Sequence, residues 1–334
     1  MNFIFAGTPD FAARVLRELV ESGRRPSLVV SQPDRPRGRG RRVCCPSAVL
    51  EARRLGLESL QAEDLSAPEV VETMLATGAK TLVVAAFGQI LRAPVLEQFF
   101  CLNIHAALLP AYRGAAPIER AIAAGEERTG VTIMRVTRPL DSGPWALQTA
   151  LTIGPYDDTG SVERALAVLG AMGIDQVMTG IEDGTVSWHD QHGPSTYAHK
   201  LTDEDTVFDT RLSARQLHDR VRALSPCVGA RTLSGGVDLK VWRTWPYGMA
   251  GLDRVPVAAE DTAGRPGRLV TDGRRLFAGC ADGVVELLLV QPAGKARMAV
   301  ADFLRGYGER LGSEFEGLPG RTEGPAPRDC ARLD

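Results

Sequence analysis

The sequence predicts a doubly wound α/β domain followed by a smaller β-barrel domain carrying one helix. Strand-like and helix-like signals alternate from residue 2 to about residue 105, the pattern of a layered sheet with helices between its strands. The run Thr81-Leu82-Val83-Val84-Ala85-Ala86 lacks polar alternation, as expected of a central parallel strand covered on both faces. After about residue 185 the alternation gives way to short β-type runs separated by turn signals.

Residues 2–6 read as the first strand. Gly7-Thr8-Pro9-Asp10 is a turn, with Asp10 placed to cap a helix whose apolar face is Phe11, Val15, Leu16 and Leu19. Leu28-Val29-Val30 is a second strand. Gln32 to Cys45 is so rich in Arg, Gly and Pro that no regular element is expected there. Helices are expected over about 48–55 and 68–76. The polar stretch 189–205 reads as a linker, and an amphipathic helix over about 213–224 opens the second domain. Strand-like runs follow at 237–242, 267–270, 276–278 and 284–290. The expected domains are therefore 1–188 and 206–311, with a disordered, dispensable tail over 312–334.

The 334 residues carry 39 Lys+Arg against 41 Asp+Glu, so no global charge points to a polyanion. The balance is uneven. Residues 206–311 hold 16 Lys+Arg and 11 Asp+Glu, an excess of five positive charges that hints at an anionic partner. No apolar run reaches the ~18 residues of a membrane span, and the N-terminus does not read as a signal peptide, so a cytoplasmic location is expected. None of the six cysteines forms a Cys-x-x-Cys pair, which leaves them as reduced, packed thiols without a metal.

Three segments carry residue types suited to chemistry. In Leu102-Asn103-Ile104-His105, strand alternation puts Asn103 and His105 on one side, at a strand end that stops in a Pro and Gly turn. An amide donor beside an imidazole there can stabilise an oxyanion and move a proton. Leu140-Asp141-Ser142-Gly143 follows the strand 131–136, and its carboxylate can orient or charge-stabilise a histidine. Arg35-Pro36-Arg37-Gly38-Arg39-Gly40-Arg41-Arg42 has five arginines in eight residues, suited to phosphate by charge and bidentate bonding. Gly7-Thr8-Pro9 lacks both the dinucleotide fingerprint and the P-loop, which disfavours a nicotinamide dehydrogenase.

These pieces, with Gly130-Val131-Thr132-Ile133-Met134, Arg113-Gly114-Ala115-Ala116-Pro117-Ile118 and Gln291-Pro292-Ala293-Gly294-Lys295, resemble the methionyl-tRNA formyltransferase family of folate-dependent formyltransferases, in order from residue 1 to about 310. The resemblance implies a Rossmann-like N-terminal domain and a C-terminal barrel like an OB-fold. It implies formyl transfer from 10-formyltetrahydrofolate to the amino group of initiator methionyl-tRNA, by a cytoplasmic monomer, with no metal. Asn103, His105 and Asp141 match the catalytic triad. Ala107, Leu108, Leu109 and Pro110, with Phe87 and Gly88, match the folate-binding positions. Arg37, Arg39, Arg41 and Arg42, with Lys295 and Arg297, would contact tRNA. Ala107 departs from a common Ser, Ala111 from a common Arg, and Val43-Cys44-Cys45-Pro46 from the usual run; Pro144 stands where some members carry Asp. A sugar-nucleotide formyltransferase would keep the triad but has no use for the arginines. A tRNA-binding protein with degenerate chemistry would not need the triad intact.

Overall fold

The structure, a computed structural model, describes residues 1–37, 42–248 and 253–316, and only the backbone of Arg37 and Arg42. The chain divides into two compact units. The first comprises Met1–Ile118, Arg128–Ile153 and Ser161–Lys200; the second comprises Glu119–Glu127, Gly154–Gly160 and the chain from Leu201.

The first 105 residues supply β1 (Phe3–Gly7), α1 (Asp10–Glu21), β2 (Leu28–Ser31), β3 (Arg35–Arg37), β4 (Arg42–Cys44), α2 (Ser47–Arg54), β5 (Ser59–Gln61), α3 (Pro68–Ala76), β6 (Thr81–Ala85), α4 (Ala93–Leu96) and β7 (Phe100–His105). Then come β8 (Arg113–Gly114), α5 (Pro117–Ala123), β9 (Arg128–Arg135), β10 (Trp145–Thr152), α6 (Thr159–Glu182) and β11 (Tyr197–Ala198). The main sheet runs β10-β9-β7-β6-β1-β2-β5. Its five strands from β7 to β5 are parallel, whereas β9 and β10 add antiparallel at one edge. Every residue of β1, β2 and β6 is buried, which explains their unbroken apolar runs. On one face Ile4, Ala6, Val30, Leu82 and Val84 pack with Val71 and Met74 of α3 and Val95 of α4.

α6 was not legible in the sequence. It is 24 residues long and apolar enough, by length and composition, to cross a bilayer. Its Leu166, Ile174 and Met178 are instead fully buried in the protein. A Cβ on Gly170 would stand 2.7 Å from Ile104 Cγ2, so only glycine permits this approach of α6 to β7. Ile104 thus packs on the helix while its neighbours Asn103 and His105 point to the opposite side.

Three local expectations are corrected. Asp10 is the first helical residue rather than the cap; Pro9 holds the cap position without a side-chain bond. Arg35–Arg37 and Arg42–Cys44 pair as an antiparallel ladder, so the Arg-rich segment does contain regular structure. Residues 189–200 are part of the first unit, where β11 pairs in parallel with β8.

The second unit contains α7 (Ala214–Leu224), β12 (Ala230–Ser234), β13 (Val237–Tyr247), β14 (Leu269–Thr271), β15 (Leu276–Gly279), β16 (Val284–Pro292), β17 (Met298–Ala299) and α8 (Val300–Tyr307). Its antiparallel sheet runs β12-β13-β16-β15-β14, with β17 on β16, as an OB-like half-barrel. α7 begins at a capping box in which Ser213 Oγ accepts the Gln216 N–H. Leu217, Val221 and Leu224 of that helix meet Leu239, Val241, Leu287 and Phe303 in the core. The start of the supposed tail also belongs here. Phe315 packs edge-on against Phe208 at 5.3 Å, and Glu316 N–H donates to Leu233 O. Residues 317–334 lie outside the described residues.

Candidate active site

The carboxyl ends of β1, β2, β6 and β7 gather the polar residues. Among the described residues, three non-glycine residues of the first unit adopt a left-handed backbone: Ala86 (φ 46°), Tyr112 (φ 58°) and Asp141 (φ 48°). Such strain persists only where surrounding bonds hold it, and it concentrates at functional sites. All three adjoin residues singled out in the sequence.

Asn103 and His105 come from β7, in register with Met134 and Thr132 of β9. Asp141 comes from the turn between β9 and β10. Its Oδ2 accepts the Gly114 N–H at 2.8 Å and lies 3.7 Å from His105 Nδ1, while its Oδ1 accepts a long bond from Asn103 Nδ2 at 3.4 Å. The three predicted catalytic side chains therefore meet around one carboxylate. His105 Nε2 is 2.9 Å from Tyr112 O. A carbonyl can only accept, so Nε2 carries a proton and Nδ1 is the nitrogen turned to Asp141. His105 is 5% exposed, which shields this pairing from solvent screening. The turn itself needs Gly143, where a Cβ would lie 1.9 Å from Arg135 O.

The segment Ala107–Pro110 is shaped from beneath by a buried hydroxyl. Thr132 Oγ1 donates to Ala107 O at 2.7 Å and accepts from Leu109 N at 3.1 Å and Gln148 Nε2 at 3.1 Å. Gln148 Nε2 also donates to Leu109 O at 2.7 Å. Ala107 is fully buried and Leu109 nearly so. Ala107 points into the core, and this segment has main chain rather than side-chain hydroxyls to offer a ligand. Phe87 O accepts from Thr8 Oγ1 at 2.9 Å and Gln32 Nε2 at 2.8 Å, which ties the Phe87-Gly88 turn to the ends of β1 and β2.

The proposed tRNA contacts fall in two places along the chain, the Arg-rich segment and the turn after β16. The backbones of Arg37 and Arg42 face each other across the β3–β4 ladder, and Arg39 and Arg41 lie outside the described residues. In the second unit the Arg297 guanidinium lies 3.6 Å from the Trp242 ring centroid and donates to Pro226 O at 2.6 Å. Lys295 sits in the turn after β16, its N–H donating to Pro292 O. Burial pushes the thiols of Cys101 and Cys280 up to about 12, so they are packed groups rather than nucleophiles.

The sequence reading missed the supports: Thr132, Gln148, Gln191 and the carbonyl of Tyr112. None had a local signal, because each acts through a main-chain group or a partner far along the chain.

A family described as "Formyl transferase" matches residues 1–178, and one described as "Formyl transferase, C-terminal domain" matches residues 200–308. A methionyl-tRNA formyltransferase of Methylococcus capsulatus is 40% identical, over 94% of this chain and all of its own length. One of Rubrobacter xylanophilus is 45% identical, over 92% of this chain and 97% of its own. Among solved structures, HypX from Aquifex aeolicus in complex with tetrahydrofolic acid superposes with a TM-score of 0.63. It is 16% identical, over 99% of this chain and 51% of its own, which speaks to the fold alone.

Proposed function

This chain belongs to the methionyl-tRNA formyltransferases, and on that premise we propose how its residues carry the reaction. The enzyme transfers the formyl group of 10-formyltetrahydrofolate to the amino group of initiator methionyl-tRNA. The residues fit that donor. Ala107–Pro110 offers main chain held rigid by Thr132 and Gln148, which suits the amide-like edge of a pterin. With Phe87 and Gly88 it would hold the donor. Once bound there, the donor supplies the formyl carbon and the nitrogen that leaves.

Asn103 gives one N–H to Asp141 and keeps the other for the formyl oxygen as negative charge grows on it. A donor in that role is typically worth about 2.7–4 kcal/mol. The attacking amine must lose a proton and the departing nitrogen must gain one. Asp141, directly or through a water, would take the first and return it to the departing nitrogen as the bond between that nitrogen and the formyl carbon breaks. His105 Nδ1 faces the same carboxylate and can exchange a proton with it, while Tyr112 O keeps Nε2 fixed. The observation that carries this reading is the single carboxylate shared by Asn103, His105 and the Gly114 N–H, at the end of a parallel strand.

The arginines of the β3–β4 segment, Arg37, Arg39, Arg41 and Arg42, supply phosphate contacts to the acceptor stem, and Lys295 and Arg297 supply those of the barrel. Arg297 would present a planar cation already stacked on Trp242. The enzyme works as a cytoplasmic monomer, where charged initiator tRNA is made and used. A formylation assay with 10-formyltetrahydrofolate and two acceptors, initiator methionyl-tRNA and an amino-sugar nucleotide, tests the reading. Turnover only with the sugar nucleotide, or tRNA binding without turnover, would overturn it.

A further inference from the structure

Asp141 cannot hold its position unaided. Its backbone is left-handed at φ 48°, and the turn around it is bounded by a glycine packed on Arg135 O. Something must hold such a conformation. The Gln191 side-chain amide is that support. Nε2 donates to Asp141 O and to Gly143 O, each at 2.9 Å, so both its hydrogens grip the two ends of the turn. Oε1 accepts from Arg113 Nε at 3.2 Å and Nη2 at 2.6 Å. This orientation of the amide is unambiguous, because both carbonyls can only accept and the guanidinium can only donate.

Arg113 is itself fixed. Its N–H donates to Thr196 O, it pairs with Tyr197 across β8–β11, and the next residue, Gly114, gives its N–H to the Asp141 carboxylate. Tyr112, one residue earlier, donates its N–H to Thr196 Oγ1 while its carbonyl takes His105. His189 brackets the same segment, exchanging N–H and C=O bonds with Trp145. Residues 189–198 thus reach the site at three points: Gln191 on the Asp141 turn, Thr196 behind Tyr112, and β11 beside Gly114.

We infer that Gln191 is a positioning residue for formyl transfer: it clamps the Asp141–Gly143 turn to Arg113, so that the carboxylate stays aimed at Asn103 and His105. Gln191 does not touch the reacting atoms. It acts on the distance between Asp141 and His105, and this rests on the assignment of Asp141 made above. A misplacement of about 1 Å in a catalytic group can cost on the order of 10²-fold in rate.

The test is a double-mutant cycle on the full-length enzyme, with kcat, both KM values and Tm measured for Gln191→Ala, Gln191→Glu, Asp141→Ala and Gln191→Ala/Asp141→Ala. Gln191→Glu keeps a partner for Arg113 but turns an acceptor towards two carbonyls, so it probes the clamp even if the alanine variant folds poorly. The expected result is that kcat falls roughly tenfold to 10²-fold in both single Gln191 variants, with KM for donor and tRNA within about twofold. In the Asp141→Ala background, removing Gln191 should cost almost nothing more, since residues acting as a unit are non-additive. If Asp141→Ala is slow while both Gln191 variants keep wild-type kcat, or if the two losses simply multiply, the positioning role is wrong and the site assignment stands. If Asp141→Ala itself turns over normally, the site assignment fails, and the positioning role with it.

Discussion

The two units use their charged side chains in opposite ways. At the strand ends of the first unit, one carboxylate is held by a main-chain N–H and turned to two side chains, inside backbone that is strained at three positions. In the second unit, several of the basic side chains counted over residues 206–311 are engaged in holding the fold. Arg222 meets Asp219 at 2.8 Å with both buried, and Arg275 meets Glu286 at 2.6 Å while lying over the Phe277 ring. Lys240 lies over Trp242 and bonds to the carbonyl of Val228. A domain's charge count therefore overstates the charge it can offer a partner. Strained backbone around a shared carboxylate marks a site more sharply than net charge does.

The comparison breaks first at the carboxylate. His105→Ala and Asp141→Ala should each lower kcat by about 10²-fold or more, with KM for the folate donor retained. Steady-state kinetics at saturating tRNA check this. Turnover within about threefold of wild type in either variant would mean that the shared carboxylate is structural, like Asp219 in the other unit.

The next largest effect separates offered charge from engaged charge. An Arg37/Arg39/Arg41/Arg42→Ala variant should raise KM for initiator methionyl-tRNA by roughly tenfold and reduce the salt slope by about 0.9 for each phosphate that is no longer neutralised. Arg222→Ala should instead lower Tm and leave that slope alone. A salt slope unmoved by the quadruple substitution would show that the Arg-rich segment is a solvated surface.

Much of this was legible in the sequence, for definite reasons. Thr81–Ala85 is buried on both faces, so its apolar run could mean little else. Asn103 and His105 were readable as a pair because strand alternation is rigid. α6 gives no clear helical period in the sequence, because its exposed positions include the apolar Val168 and Met172 and no clean polar face remains. The stretch 189–205 reads as a linker because most of the bonds that tie residues 189–200 to the first unit involve main chain, which leaves no mark on composition. Gln191 is one polar residue among many there, and only the fold brings it to Asp141, 50 positions earlier.

A smaller effect tests the proposed role of Ala107–Pro110 in holding folate. Thr132→Val keeps the shape of the side chain but strips Leu109 N–H and Ala107 O of their buried partner. Leaving such groups unsatisfied costs about 1–3 kcal/mol. The expected outcome is a lower Tm and a higher KM for the folate donor, with KM for tRNA unchanged. An unchanged donor KM would detach Ala107–Pro110 from folate binding.

The smallest effect distinguishes the units by acid. In the first, the hydrogen bond from Arg17, joined by Arg54, holds the Glu51 carboxyl down to about 2 from an ordinary 4.5. A group depressed by folding stabilises fully above its unfolded value. The Glu51 contribution is therefore complete above 4.5 and disappears as pH falls towards about 2. In the second unit, burial lowers His218 below 6.5, and the ring is held neutral with Nε2–H on Pro155 O and Nδ1 accepting from Thr244 Oγ1. The sign is the same, but the window lies higher: its contribution is complete above 6.5 and declines as pH falls from there. Tm measured from neutral to acid pH for the wild type, Glu51→Gln and His218→Gln checks this. Glu51→Gln should flatten the curve only below 4.5, and His218→Gln should flatten it just below 6.5. Curves parallel to wild type in both windows would mean that neither group couples folding to protons, and the acid response would then have to come from elsewhere in the two units.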